Sequence, residues 1–275
     1  MQNALWACVA IAISSAPVGV FLVLRRMTLM SDAMSHALLP GVALGFLISG
    51  LSISSMAIGG FIAGAIVALG AGVITRNSII REDASLAVFF LISLALGVVI
   101  ISSKGNNIDL LHLLFGSVLA IDNQTLIFLF SISLITILVF MIIYKILIIE
   151  CLDSGYLQSI NRYLGGIVHY LYLTLVVLNL IAGFFALGTL MSVGMMVLPA
   201  VTARFWQKKL LSMIFLCAIF SLTGAYIGLI LSYYFSIPIS PSIILVLGCF
   251  YVCSLLFAPY GVIRYQKPPS QHLKA

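Results

Sequence analysis

Asp32 and His36 lie four residues apart at the start of an apolar stretch, and both side chains can bind metal ions. Four residues of α-helix turn the backbone through about 400°, so the two side chains project from nearly the same face. A carboxylate oxygen and an imidazole nitrogen are both ligands for divalent zinc, manganese and iron. Two ligands hold a metal weakly, and a symmetric dimer would bring a second pair to its axis. The spacing therefore predicts a metal-ion site that a dimer completes.

Other roles for the two residues are also open at this point. Asp32 could be the N-cap of a helix, although Ser31 would serve equally well. Asp32 could instead form a salt bridge with Arg25 or Arg26. His36 could be a buried histidine that is hydrogen-bonded within the core. Each of these alternatives would make the residue structural rather than functional.

The composition indicates that the chain lies in a membrane. Of its 275 residues, 63% are hydrophobic and 7% are charged, whereas a soluble domain carries roughly a quarter charged residues. A chain this apolar cannot cover its surface with polar groups in water, and the bilayer is the solvent that fits it. The cations lie between long apolar runs and form no stripe, which argues against a nucleic-acid-binding surface. The sequence predicts an all-α integral membrane protein.

Long apolar runs predict the membrane-spanning helices, each of which needs about 20 apolar residues. The clear candidates are 4–24, 33–50, 53–75, 83–102, 124–149, 168–188, 209–235 and 240–262. A shorter run at 190–203 is either a ninth span or a half-helix, and its Gly194 and Pro199 favour an interrupted helix beside a cavity. The predicted fold is a polytopic bundle of eight or nine transmembrane helices, one of them interrupted.

The positions of the cations predict the orientation of the chain in the membrane. With the N-terminus outside and nine crossings, every Lys and Arg except Lys104 falls on the cytoplasmic side, and the C-terminus is cytoplasmic. Residues 1–265 are then one transmembrane domain, and 266–275 are a polar cytoplasmic tail. His169 lies at the cytoplasmic end of a span, where we expect its side chain to extend towards the interface.

Two connections are longer than turns and could make contacts outside the bilayer. The outer one, 103–123, carries Asp109 and His112 three residues apart, which makes them candidates for an outer gate or docking surface. An interfacial helix is the other interpretation of that stretch. The inner one, 150–167, contains a short mixed segment that could dock on a cytoplasmic partner as a helix in a groove. A solvated loop is the alternative there.

The chain contains no recognisable catalytic motif. It lacks the phosphate-binding pattern G-x-x-x-x-G-K-[ST] and the hydrolase patterns H-E-x-x-H and G-x-S-x-G. We therefore predict that it is not an enzyme, and that a separate protein hydrolyses ATP if transport depends on ATP. The competing class is a secondary carrier or channel driven by an ion gradient, with Asp32 as a proton or ion relay.

Four stretches of the chain resemble, in order, motifs of one transporter family. They are RRMTLMSDAMSHALLPGVALG at 25–45, LLFGSVLA at 113–120, the segment 188–204 with its ending LPAVTAR, and ISPS at 239–242. The resemblance is to the membrane permease subunits of bacterial zinc, manganese and iron ABC importers, and it extends from about residue 5 to 262.

The resemblance implies a type II ABC-importer-like fold in the bacterial inner membrane and a homodimer. Each protomer would dock one cytoplasmic ATP-binding subunit, two copies in all, and a periplasmic or lipid-anchored metal-binding protein would deliver the ion from outside. In the family, an Asp and a His of the first motif form the metal site of the translocation pathway, and here they match Asp32 and His36. No permanently bound cofactor is expected.

The family's coupling helix, which contacts the ATP-binding subunit, corresponds to the inner connection 150–167. We expect Asp153, Tyr156, Leu157 and Gly166 to contribute to this contact. The family's D-P-x-x-A pattern is replaced by D-S-G-Y-L in this chain.

The chemistry of the ligand pair leaves several transported ions possible. One carboxylate and one imidazole per protomer suit zinc, manganese and ferrous iron alike. Zinc is the first expectation and manganese the second.

Overall fold

Ten α-helices make up nearly all of the residues that the computed structural model describes, which are 2–50, 52–77, 82–103, 121–152 and 162–261. In chain order the helices are α1 (Gln2–Leu24), α2 (Thr28–Ala37), α3 (Leu39–Ser49), α4 (Ile53–Asn77), α5 (Glu82–Ser103), α6 (Asn123–Leu152), α7 (Arg162–Leu187), α8 (Thr189–Trp206), α9 (Leu210–Phe235) and α10 (Ile239–Phe257). Every regular element in these ranges is a helix, so the predicted all-α class is confirmed. The predicted tail at 266–275 lies outside the described residues.

Within the described ranges, eight helical segments are long and apolar enough to cross a membrane. α2 and α3 together form one of these segments, Thr28–Ser49, and α8 is another. α5 adds the shorter apolar stretch Ala84–Gly97. These segments agree with the predicted bundle of eight or nine membrane helices.

α1 and α7 lie at the centre of the bundle. Both helices are apolar around their circumference, which is typical of a helix enclosed by other helices. Phe21 and Leu22 of α1 are buried in one hydrophobic cluster with Tyr172 and Val176 of α7. In contrast, α6 and α9 expose large apolar side chains, among them Ile142. Such a surface suits contact with lipid rather than water.

The interrupted helix is the one formed by α2 and α3. Leu38 separates the two parts, and Pro40 lies in the first turn of α3. Proline has no N–H to donate, and its ring collides with the carbonyl four residues earlier, here that of His36. The expected position of the interruption, 190–203, is wrong, because α8 is continuous through Pro199. Transmembrane helices tolerate an internal proline where neighbouring groups satisfy the freed carbonyl.

Glycines bring α3 and α4 into close backbone contact. Gly41 and Gly45, four residues apart on α3, face Gly59 and Ser55 of α4. A methyl group added to Gly41 would collide with the carbonyl of Gly59 and lie 2.6 Å from the Cβ of Ala63. Small residues at this spacing allow transmembrane helices to approach closely. The contact holds α3, and with it the end of α2, against α4.

A single residue, Gly188, connects α7 to α8. Its φ of +84° lies in the left-handed region that glycine adopts readily. Ser192 of α8 donates a hydrogen bond to the carbonyl of Leu180 in α7 across 3.1 Å, so the two helices run antiparallel side by side. α8 has 18 residues, which corresponds to a length of about 27 Å. α8 is therefore long enough to return across the bundle.

Candidate functional site

α2 has one buried face and one exposed face, and it carries both predicted metal ligands on the exposed face. Met30 and Met34 are buried, and α2 packs mainly on α5 and also contacts α4, α7 and α8. The opposite stripe includes Leu29, Asp32 and His36. The Asp32 side chain is 66% exposed and the His36 side chain is 31% exposed. The burial of the methionine face thus fixes the direction in which the carboxylate and the imidazole point.

The two side chains point the same way, as their spacing predicts. The Nε2 atom of His36 lies 3.9 Å from the Oδ1 atom of Asp32. The imidazole also lies against α5, with its ring centre 5.7 Å from that of Phe90. A divalent ion held between the carboxylate and the imidazole would have two protein ligands and open coordination positions, as an ion that must be released again requires.

The structural alternatives for these residues do not match the geometry. α2 begins at Thr28, which puts Asp32 in the second turn rather than at the N-cap. The Arg25 guanidinium faces Glu150 instead of Asp32. In the described part of the chain, the Asp32 carboxylate lies nearest to the His36 imidazole, and the His36 side chain is partly exposed rather than enclosed in the core.

One protomer does not supply a complete coordination sphere from its described residues. Among them, no group of three or more His, Cys, Asp or Glu side chains could hold a metal ion. Protein metal sites generally have three or four protein ligands. The pair on α2 is therefore half of a site at most, and the exposure of its stripe leaves room for ligands from another molecule.

A second group of polar side chains, which the sequence analysis missed, is buried where α1, α6 and α7 meet. Arg25 donates a hydrogen bond to Glu150 Oε2 across 2.7 Å and contacts His169 Nδ1 at 3.0 Å. Its Nε donates to the sulfur of Cys151 across 3.3 Å, and its guanidinium carbon lies 4.8 Å from the centre of the Tyr172 ring. We name these five residues the Arg25 cluster. The side chains of Arg25 and Glu150 are 9% and 10% exposed.

The Arg25 cluster corrects the expectation for His169 and keeps the Arg25 guanidinium charged. His169 does not extend towards the interface, because it is buried in contact with Arg25. Burial acts to lower the pKa of Arg25, whereas the Glu150 carboxylate and the hydrogen bond to Cys151 raise it, and the pKa lies above its ordinary value. The guanidinium therefore stays charged, and its pairing with Glu150 offsets the cost of removing it from water.

Several predicted site residues cannot be located. Those outside the described ranges are Asp109, His112, Asp153, Tyr156 and Leu157. The outer gate and the contact with an ATP-binding subunit therefore stay predictions. Gly166 is described, and it lies buried in the first turns of α7.

The fold and the candidate ligand pair together point to a class of protein. A polytopic helical membrane protein whose candidate ion ligands lie on an interrupted helix has the arrangement typical of transporters. The chain belongs to the ABC 3 transport family, which matches residues 1–258.

Relatives of the chain include named transport proteins. It is 33% identical over 268 residues to the manganese transport system membrane protein MntC of Halalkalibacterium halodurans, which covers 96% of this chain and 90% of that protein. It is 33% identical over 258 residues to a probable iron transport system membrane protein of Haemophilus influenzae, covering 94% and 93%. The solved structure of PsaBC from Streptococcus pneumoniae in complex with Fab superposes with a TM-score of 0.82 and 34% identity, covering 94% of this chain and 92% of that one.

Proposed function

We propose that the chain is the membrane-spanning permease subunit of an ATP-binding cassette importer for divalent transition metal ions. The observation that carries the proposal is the pair of Asp32 and His36, which point together from the exposed face of α2. Membership in the ABC 3 transport family favours this function over a carrier or channel driven by an ion gradient. The chain lies in the bacterial plasma membrane, with its N-terminus outside as the distribution of Lys and Arg predicts.

A homodimer completes the ion site in this proposal. Each protomer contributes one carboxylate and one imidazole, and two protomers related by a two-fold axis give four ligands. Four nitrogen and oxygen ligands are enough to hold a divalent transition metal. The exposed stripe of α2 that contains Leu29, Asp32 and His36 is the surface that faces the axis.

Manganese is the cargo that we propose first, and ferrous iron second. The relatives named above are described as manganese or iron transport proteins, which shifts the preference away from zinc. The ligand pair is compatible with both ions, because carboxylate oxygen suits manganese and imidazole suits iron. Zinc remains chemically compatible with the same pair.

Energy for transport comes from a separate ATP-binding subunit in this proposal. The chain has no phosphate-binding motif of its own. A binding protein outside the cell releases the ion towards Asp32 and His36, and ATP binding and hydrolysis inside switch the pathway from outward-open to inward-open. A site with two ligands from each protomer is suited to this task, because moving the protomers apart removes half of the ligands at once.

The test is cellular metal content in a deletion strain that carries wild-type protein, Asp32→Asn or His36→Gln under metal limitation. We expect each substitution to lower manganese accumulation by about tenfold or more, because it replaces a carboxylate or imidazole ligand by a neutral amide that binds a divalent ion more weakly. Asp122→Asn is the matched control, since Asp122 is another exposed carboxylate and the amide oxygen can still accept the hydrogen bond from the Asn123 backbone N–H. Wild-type accumulation in both site variants, at equal protein levels in the membrane, would refute the site.

A further inference from the structure

The Arg25 cluster joins three helices at one end of the bundle. Arg25 follows α1, Glu150 and Cys151 lie in the last turn of α6, and His169 and Tyr172 lie near the start of α7. Glu150 approaches both Arg25 and His169, with its Oε1 atom 3.8 Å from His169 Nδ1. Arg25 therefore contacts the chain on both sides of the segment 153–161.

Arg25 is also joined stiffly to the helix that carries the ligand pair. Arg26 has a φ of +60°, and its backbone N–H donates to the carbonyl of Val23 while that of Met27 donates to the carbonyl of Leu22. These two bonds around a left-handed residue are the Schellman arrangement that closes a helix C-terminus. Met27 is buried, and α2 begins at the next residue. A displacement of Arg25 thus reaches α2 through a turn held by backbone hydrogen bonds.

The composition of the cluster excludes simpler roles. Arginine at the end of a transmembrane helix usually extends to the interface to keep its charge in water, but Arg25 is enclosed and binds an acidic partner. His169, Glu150 and Cys151 are residue types that bind metals, yet the guanidinium occupies the space between them and would repel a cation. A buried, fully paired charge network of this kind favours a single defined arrangement of the helices around it.

We propose that Arg25 is a positioning residue for transport, and that the Arg25 cluster links the C-terminal end of α6 and the N-terminal part of α7 to the helix that bears Asp32 and His36. The inference rests on the proposed function and on the prediction that the connection 150–167 contacts the ATP-binding subunit. ATP binding in the partner subunit displaces the ends of α6 and α7, and Glu150 and His169 pass the displacement to Arg25 and so to α2.

The experiment uses the permease purified with its ATP-binding subunit and reconstituted into lipid vesicles. The Mn²⁺-loaded binding protein is supplied on the outer side of the permease, and Mn²⁺ uptake and phosphate release are measured together. Arg25→Lys keeps the charge but cannot hold Glu150, Cys151 and His169 at once, and Glu150→Gln keeps the shape but removes the charge. We expect both variants to hydrolyse ATP while Mn²⁺ uptake per ATP falls at least about fivefold. Arg26→Lys is the matched control, because Arg26 is the neighbouring residue and its side chain is exposed. We expect this variant to take up as much Mn²⁺ per ATP hydrolysed as wild type.

A double variant separates coupling from stability. Arg25→Met with Glu150→Met removes both charges together, so that neither is left buried without its partner, and replacement of this kind often preserves folding. We expect the double variant to assemble in normal amounts. Its Mn²⁺ uptake per ATP hydrolysed should be as low as that of the single variants. Restoration of the wild-type ratio in the double variant, or an unchanged ratio in Glu150→Gln, would overturn the inference while leaving the proposed function standing. Absence of ATP-driven Mn²⁺ uptake by wild type would instead overturn the proposed function, and this inference with it.

Discussion

Tyr172 supports the Arg25 cluster from within the hydrophobic core. Its side chain is fully buried, its ring lies under the Arg25 guanidinium, and its hydroxyl donates a hydrogen bond to the carbonyl of Val18 across 2.9 Å. A buried tyrosine in a membrane protein is stable when its hydroxyl has such an acceptor. The residue thus ties α7 to α1 at Val18, about two turns before Arg25.

Tyr172→Phe should lower stability without abolishing transport. The substitution removes one buried hydrogen bond, worth about 1 kcal/mol, and leaves an aromatic ring beneath Arg25. We expect the melting temperature of the purified protein to fall by about 2–4 °C. Cellular manganese accumulation should stay near that of wild type. Tyr226→Phe, at an exposed position of α9, should leave the melting temperature unchanged. An equal fall in both variants would show that the Val18 contact is not the cause.

The sequence predicted the relative placement of side chains that are close together in the chain. Asp32 and His36 are four residues apart, so helix geometry alone brings them to one face. Arg25 is separated from Glu150 by 125 residues and from His169 by 144, and no periodicity connects positions that far apart. The available signal was Glu150, an acidic residue at a membrane end where the cations accumulate, which a pairing argument could have matched to Arg25.

Helices were predicted well by apolar length, and their breaks were predicted poorly. Pro199 and Pro40 both lie in apolar runs, but α8 continues through the first while the second follows the end of α2. Whether a proline breaks a membrane helix depends on the groups that surround the freed carbonyl. Those groups come from other helices, so the difference between Pro40 and Pro199 is a tertiary property.

The contact between α3 and α4 should be intolerant of a single added methyl group. Gly41→Ala would force backbone atoms of the two helices apart, because its Cβ meets the Gly59 carbonyl, and overpacking of this kind costs about 1–3 kcal/mol or more. We expect less folded protein and earlier loss of the monodisperse peak on heating in detergent, measured by size-exclusion chromatography.

Gly248 provides the matched control for this prediction. A Cβ at Gly248 in α10 would meet nothing within 4 Å, and alanine is favoured over glycine inside a helix by roughly 0.5–1 kcal/mol. Gly248→Ala should therefore be neutral or slightly stabilising. If Gly41→Ala were equally well tolerated, the close packing of α3 on α4 would not be required for folding.

At the scale of the whole molecule, the central helices are enclosed by other helices, while the candidate ligands Asp32 and His36 lie at the surface. α1 and α7 are enclosed by other helices, whereas the Asp32 side chain on α2 is 66% exposed. An exposed carboxylate and imidazole on a membrane protein are costly unless they face water or a partner. A second copy of the chain that covers the stripe would offset this cost. Asp32 and His36 of each copy would then contribute two ligands to one shared site.

Shared ligation predicts how wild-type and inactive chains behave when they are mixed. If wild-type protein and His36→Gln are expressed in equal amounts and pair at random, about a quarter of the dimers carry two intact ligand pairs. We expect manganese accumulation to fall to about that fraction, with separate tags on the two chains to verify equal amounts in the membrane. Co-expression of wild type with Asp122→Asn should leave accumulation unchanged. Accumulation near one half would mean that each protomer binds and moves its ion independently, and a dimer with one shared site would then be the wrong description.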